Sequence, residues 1–79
     1  MDESAIYARL TEILQNVFDD DLITATPALS AKDVGGWNSL THIRLMLTIE
    51  KTFKVKFSTL EMGKMENVGD LVTIIKART

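Results

Sequence analysis

The chain has 79 residues, 46% of them hydrophobic and 25% charged, with four glycines and one proline; this excludes a disordered polar tract and predicts one compact domain over residues 1–79. A chain of that size has no room for an enclosed catalytic cleft, and the absence of cysteine excludes disulfides and thiolate zinc sites, so no catalytic or metal-ligating residues are predicted. Net charge is −2, but residues 1–39 hold seven acids against two bases and residues 40–79 four acids against seven bases; halves of opposite sign predict contact surfaces of both signs.

The opening stretch MDESAIYARL is acidic where a secretory signal would be basic, and no apolar run approaches the ~18 residues of a membrane span. A cytoplasmic protein with no membrane insertion is expected. Ile6, Leu10, Ile13, Leu14 and Val17 stand at offsets 0, 4, 7, 8 and 11, the spacing of one face of a helix, which ends in the acidic run Asp19, Asp20 and Asp21. From there to Asn38 the chain has no clear periodicity. A connection of about twenty residues in so small a domain must be functional or pinned to the core, and Ile23, Leu29, Val34 and Trp37 are the apolar side chains available as pins.

A second helix is predicted from Ser39 to Phe53. At about 100° per residue, Leu45, Met46, Ile49 and Phe53 share one side and Leu40, Ile43 and Leu47 another, with Thr41, Arg44, Thr48 and Lys51 between them. A helix apolar on two sides is either central to a bundle or presents apolar surface to a partner. The stretch KVKF alternates, but Val55 and Phe57 alone are too short to pair as a strand and read as a loop. Ser58 and Glu61 have the spacing of a capping box, predicting a short third helix that Gly63 and Lys64 hold to one or two turns. Asn67, with Asp70 three residues on, opens a last helix burying Val68, Leu71, Val72 and Ile75, and Lys76 and Arg78 favourably face its C-terminal dipole. The expected fold is all-α: a four-helix bundle of three longer helices and one short third helix, with a long loop between the first two.

The stretch GGWNSL, residues 35–40, carries the functional question. Asn38 and Ser39 are both residue types favoured at helix starts, where a side-chain oxygen accepts from an unpaired backbone N–H. A serine in the first turn, brought to the surface by a Gly-Gly turn, is also a favourable seat for a phosphate ester, since the helix N-terminus supplies N–H groups and partial positive charge. His42, three residues on, raises the question of a nucleophile and base. Its helical angle places it beside the core, and with no orienting acid or oxyanion donors it reads as a packing or loop-anchoring residue. Met46, Met62 and Met65 read as core filling, with an adaptable acyl pocket as the alternative.

WNSL followed by THIRLMLTIEKTFKVKF resembles the phosphopantetheine attachment region of the acyl carrier protein family, whose signature is Asp-Ser-Leu at the start of the second helix. The resemblance extends over nearly the whole chain: helix order, long loop, a second helix ending in Glu50-x-x-Phe53, a short third helix, and a fourth opened by a polar residue and Val. It implies a carrier rather than a catalyst. Ser39 would receive 4'-phosphopantetheine from coenzyme A through a separate phosphopantetheinyl transferase that holds the magnesium. The arm's thiol, which this cysteine-free chain lacks, would carry acyl groups as thioesters between acyl-loading and acyl-transferring or condensing enzymes. A monomer is expected.

Two departures shape the expectations. The aspartate usual before the serine is Asn38, which keeps the cap but loses a charge that a transferase can pair with. In carriers of bacterial fatty acid synthesis the second helix is strongly acidic and docks on basic patches, whereas here Arg44 and Lys51 are basic and only Glu50 is acidic. Steering toward such basic patches should be poor, which points to a dedicated carrier in a specialised lipid or secondary-metabolite (polyketide-like) pathway. Leu40, Thr41, Arg44, Leu47 and Lys51 are the expected docking surface, with coverage of the leucines by the loop as the alternative. An aminoacyl or peptidyl carrier shares the attachment chemistry, and an unmodified helical interaction domain would share the fold. A nucleic-acid binder using Lys51, Lys54 and Lys56 is disfavoured by the net negative charge and the sparse aromatics, so no nucleic-acid partner is expected.

Overall fold

The structure, a computed structural model, describes residues 2–79. Helix α1 spans Glu3–Phe18, α2 Ser39–Phe53, α3 Thr59–Lys64 and α4 Val68–Arg78. Among the described residues there is no strand, so the KVKF alternation is loop, as its shortness predicts. It is a loop turned inward, because Val55 and Phe57 are both buried.

The helices form where their ends can be satisfied. The Asp2 carboxylate accepts the Ala5 N–H at 2.8 Å to start α1. The predicted capping box is present at α3, where Ser58 Oγ accepts from Glu61 N–H at 3.1 Å and Glu61 Oε1 from Ser58 N–H at 2.9 Å. Asn67 Oδ1 accepts the Asp70 N–H at 2.9 Å at the start of α4. Both α1 and α2 stop on a residue in the left-handed region, Asp19 at φ 51° and Lys54 at φ 56°. Neither is a glycine, so each carries a backbone cost that glycine would not.

Helix α1 packs against both α2 and α4. The core combines Ile6, Leu10, Ile13 and Leu14 of α1, Leu45, Met46, Ile49 and Phe53 of α2, and Val68, Leu71, Val72 and Ile75 of α4. These are the faces the periodicities predict, except that Val17 lies only partly buried at the margin. Each fully buried Leu or Ile stabilises the fold by about 2 kcal/mol relative to exposure, which is the main term available to a chain without crosslinks.

The connection between α1 and α2 is pinned by more than the predicted side chains. Ile23 is buried and Leu29, Val34 and Trp37 are half-buried against the core, but Ala25 is buried as well. Polar tethers complete the attachment: Gln15 Nε2 donates to the carbonyls of Asp21 and Ile23 at 3.1 and 3.0 Å, and Ala25 N–H donates to Thr11 Oγ1 at 3.0 Å. Further on, the carbonyls of Leu29 and Pro27 accept the N–H groups of Val68 and Gly69 at 2.8 and 3.0 Å. The loop thus satisfies two of the N-terminal amides that α4 cannot pair within itself. A single 3-10 turn at Ala31–Asp33 then leads toward Gly35.

Candidate functional site

Ser39 is the first residue of α2 and is exposed. Asn38 before it is in extended conformation, and its Oδ1 accepts the N–H groups of both Leu40 and Thr41 at 3.0 Å. Thr41 Oγ1 closes the box by accepting from Asn38 N–H at 2.8 Å, and it donates to the Gly36 carbonyl, also at 2.8 Å. The cap therefore consumes the amides on either side of the point where an ester on Ser39 would project. Of the N–H groups a phosphate was expected to meet, the Leu40 and Thr41 amides are taken by Asn38. What remains beside the serine is its own amide and the dipole of α2, which has no acidic residue in its first turn.

The turn that delivers Ser39 differs from a glycine-dependent one. Trp37 N–H donates to the Val34 carbonyl at 3.2 Å across Gly35 and Gly36, yet neither glycine has positive φ and a Cβ on either would meet no close neighbour. The placement of Ser39 rests instead on Trp37. Its indole lies 5.4 Å from the Phe18 ring and 6.2 Å from the His42 ring, roughly parallel to the latter. Trp37 Nε1–H donates to His42 Nδ1 at 3.1 Å, and His42 Nε2 lies 3.1 Å from the Met62 carbonyl oxygen.

An indole N–H can only donate, so Nδ1 is the acceptor and the imidazole proton sits on Nε2, donating to Met62. His42 thereby ties the loop, α2 and α3 together with both ring nitrogens. Neither is left to act as a base toward Ser39, which agrees with an anchoring role. The Glu50 carboxylate is committed in the same way: Oε2 accepts the Phe57 N–H at 2.8 Å, fastening the stretch after α2 back onto the helix.

Around Ser39 the surface forms a shallow depression of about 350 Å³ lined by Ala31, Trp37, Asn38, His42, Met62 and Met65. Met46, grouped in sequence with Met62 and Met65, is instead wholly buried in the core. Along α2 the second apolar side is open: Leu40, Ile43 and Leu47 are 76%, 53% and 56% exposed. The loop does not cover them, contrary to that alternative. Arg44 and Lys51 are exposed beside them, whereas Thr41 is half-buried with its hydroxyl committed to the cap. Sequence reasoning placed Thr41 among the docking residues because helical angle alone does not show what a hydroxyl bonds to.

No family model matches the chain. Among solved structures it is similar to the solution NMR structure of a holo acyl carrier protein from Geobacter metallireducens, with 41% sequence identity and a TM-score of 0.85, over 90% of this chain and 82% of that one. Identity at that level over that share of both chains, joined to the four-helix order and the exposed serine at the start of the second long helix, shows that the chain belongs to the acyl carrier protein family, whose members carry acyl groups rather than catalyse reactions.

Proposed function

We propose that this single-domain carrier, residues 1–79, holds acyl intermediates as thioesters on 4'-phosphopantetheine attached to Ser39. In the loading step Ser39 Oγ attacks the phosphorus of coenzyme A next to pantetheine. A P–O bond forms to the serine, the bond to adenosine 3',5'-bisphosphate breaks, and the serine proton passes to the phosphopantetheinyl transferase. The observation that supports this reading best is the exposure of Ser39 at the head of α2, where the helix dipole favours the phosphodiester's negative charge. The holo form of the similar protein supports it as well.

Leu40, Arg44, Leu47 and Lys51 form the surface that meets the transferase and the acyl-loading and acyl-transferring or condensing enzymes, with Thr41 at its edge serving the cap. Their basic character supports service in a specialised lipid or polyketide-like pathway. The carrier is a cytoplasmic monomer on this reading, and no helix among the described residues is long and apolar enough to cross a membrane. Incubation with coenzyme A and a broad-specificity transferase tests the proposal. Intact mass should rise by one phosphopantetheinyl group in the wild type and stay unchanged in Ser39→Ala, while modification of both proteins, or of neither, defeats it.

A further inference from the structure

Beyond the expected docking residues, the end of α2 forms a groove of about 580 Å³ lined by Leu47, Glu50, Lys51, Lys54, Val55 and Lys56. Its floor is apolar, because Val55 is buried and Leu47 faces it from the helix. Its polar members are three lysines and one glutamate, whose Oε2 accepts the Phe57 N–H at 2.8 Å, so the cations outnumber the single carboxylate. At about 100° per residue, Leu40, Ile43, Arg44, Leu47, Lys51 and Lys54 all fall within roughly 100° of arc. A continuous stripe therefore runs from beside Ser39 into the groove.

The ion pairs among the described residues are Lys76 with Glu3 and Arg78 with Glu61. Arg44, Lys51, Lys54 and Lys56 thus have no carboxylate partner among the described residues, and all four are exposed. Lys54 adds a second observation. It occupies a left-handed C-cap at φ 56°, a position where glycine is favoured, so a cation stands there against the local conformational preference and with no carboxylate partner among the described residues.

We infer that this stripe and groove bind a protein face that presents an apolar side chain ringed by carboxylates, the opposite charge sense from a basic partner. The inference rests on the carrier reading above, since delivery of an arm from Ser39 requires a partner seated beside it. An apolar centre with a charged rim is the anatomy of a protein interface. A nucleic acid would need aromatic faces to stack on, and the nearest candidates, Phe53 and Phe57, are buried. A membrane surface would need a broader apolar face than three side chains, and the opposite side of α2 is already the core.

The test uses the full chain and two versions of one phosphopantetheinyl transferase, differing only in whether the carrier-facing rim carries glutamates or lysines. Transfer to Ser39 should be on the order of tenfold faster with the acidic rim at low ionic strength, and the difference should vanish near 1 M salt, where the Debye length is ~3 Å. Lys51→Glu with Lys56→Glu should reverse the preference, and Lys76→Glu, an equal charge change on α4, should leave it unchanged. Lys54→Gly should raise the melting temperature while weakening the preference, a pair of opposite shifts that a merely structural lysine would not produce. Modification of Ser39 at equal rates by both rims, or faster by the basic one, overturns the inference while leaving the carrier reading intact. Failure of both to modify Ser39 defeats the carrier reading and this inference with it. Equal rates accompanied by lysine-dependent binding to phosphatidylserine vesicles or to single-stranded DNA assign the stripe to those surfaces instead.

Discussion

Replacing His42 by phenylalanine keeps a ring of similar size against Trp37 and removes both of its hydrogen bonds. Trp37 Nε1–H then loses its acceptor and the Met62 carbonyl its donor, each bond having been 3.1 Å long. A net contribution of about 1 kcal/mol per bond, for groups that are only partly buried, amounts to about 2 kcal/mol. In a domain of this size 1 kcal/mol corresponds to about 4–8 °C, so the melting temperature should fall by about 8–16 °C. Thermal unfolding followed by circular dichroism measures this, and exchange of the Trp37 indole proton with solvent, followed by NMR, measures the tether directly. A fall of less than about 3 °C, with the indole proton as protected as in the wild type, would refute the reasoning that His42 joins the loop, α2 and α3.

Three further outcomes are expected. Gly69→Ala should destabilise by about 1 kcal/mol despite the better helix propensity of alanine: its Cβ would lie 3.1 Å from the Pro27 carbonyl oxygen and 3.2 Å from Asn67 Oδ1, and both are held by hydrogen bonds to the start of α4. A rise in melting temperature would count against that packing. Asp19→Gly, at φ 51°, should stabilise by about 0.5–1 kcal/mol in urea unfolding, because glycine adopts the left-handed cap without the Cβ penalty. The Arg78 guanidinium, helped by the Ser58 amide, holds the Glu61 carboxyl down at about 2, below its ordinary 4.5. A depressed folded value means that the stabilisation is present above pH 4.5 and lost as pH falls toward 2. Acid unfolding of Glu61→Gln should therefore be less steep in that window, and an unaltered pH profile would contradict the pairing.

Much of this molecule was legible along the chain because its determinants are local. Helical periodicity located the core faces of α1, α2 and α4, and the caps at Asn38, Ser58 and Asn67 act within three residues of themselves. The position of Ser39 at the head of α2 follows from the same local chemistry. What was missed lies across longer separations. Nothing in the order of residues says that the Pro27 and Leu29 carbonyls cap α4, that Gln15 reaches the Ile23 carbonyl, or that Glu50 accepts from Phe57.

The sequence by itself thus determined the helices, their apolar faces and the serine at the start of α2, since propensity, capping and periodicity act over one or two turns. Only the tertiary structure decided which apolar side of α2 is covered, and so left Leu40, Ile43 and Leu47 in solvent. It also decided which polar groups are already occupied. Asn38, Thr41, His42 and Glu50 are taken up in internal hydrogen bonds, while Arg44, Lys51, Lys54 and Lys56 have no carboxylate partner among the described residues. The physical reason is that a side chain's availability depends on what the fold brings within hydrogen-bonding distance of it, and that distance is set by packing between segments far apart in the chain.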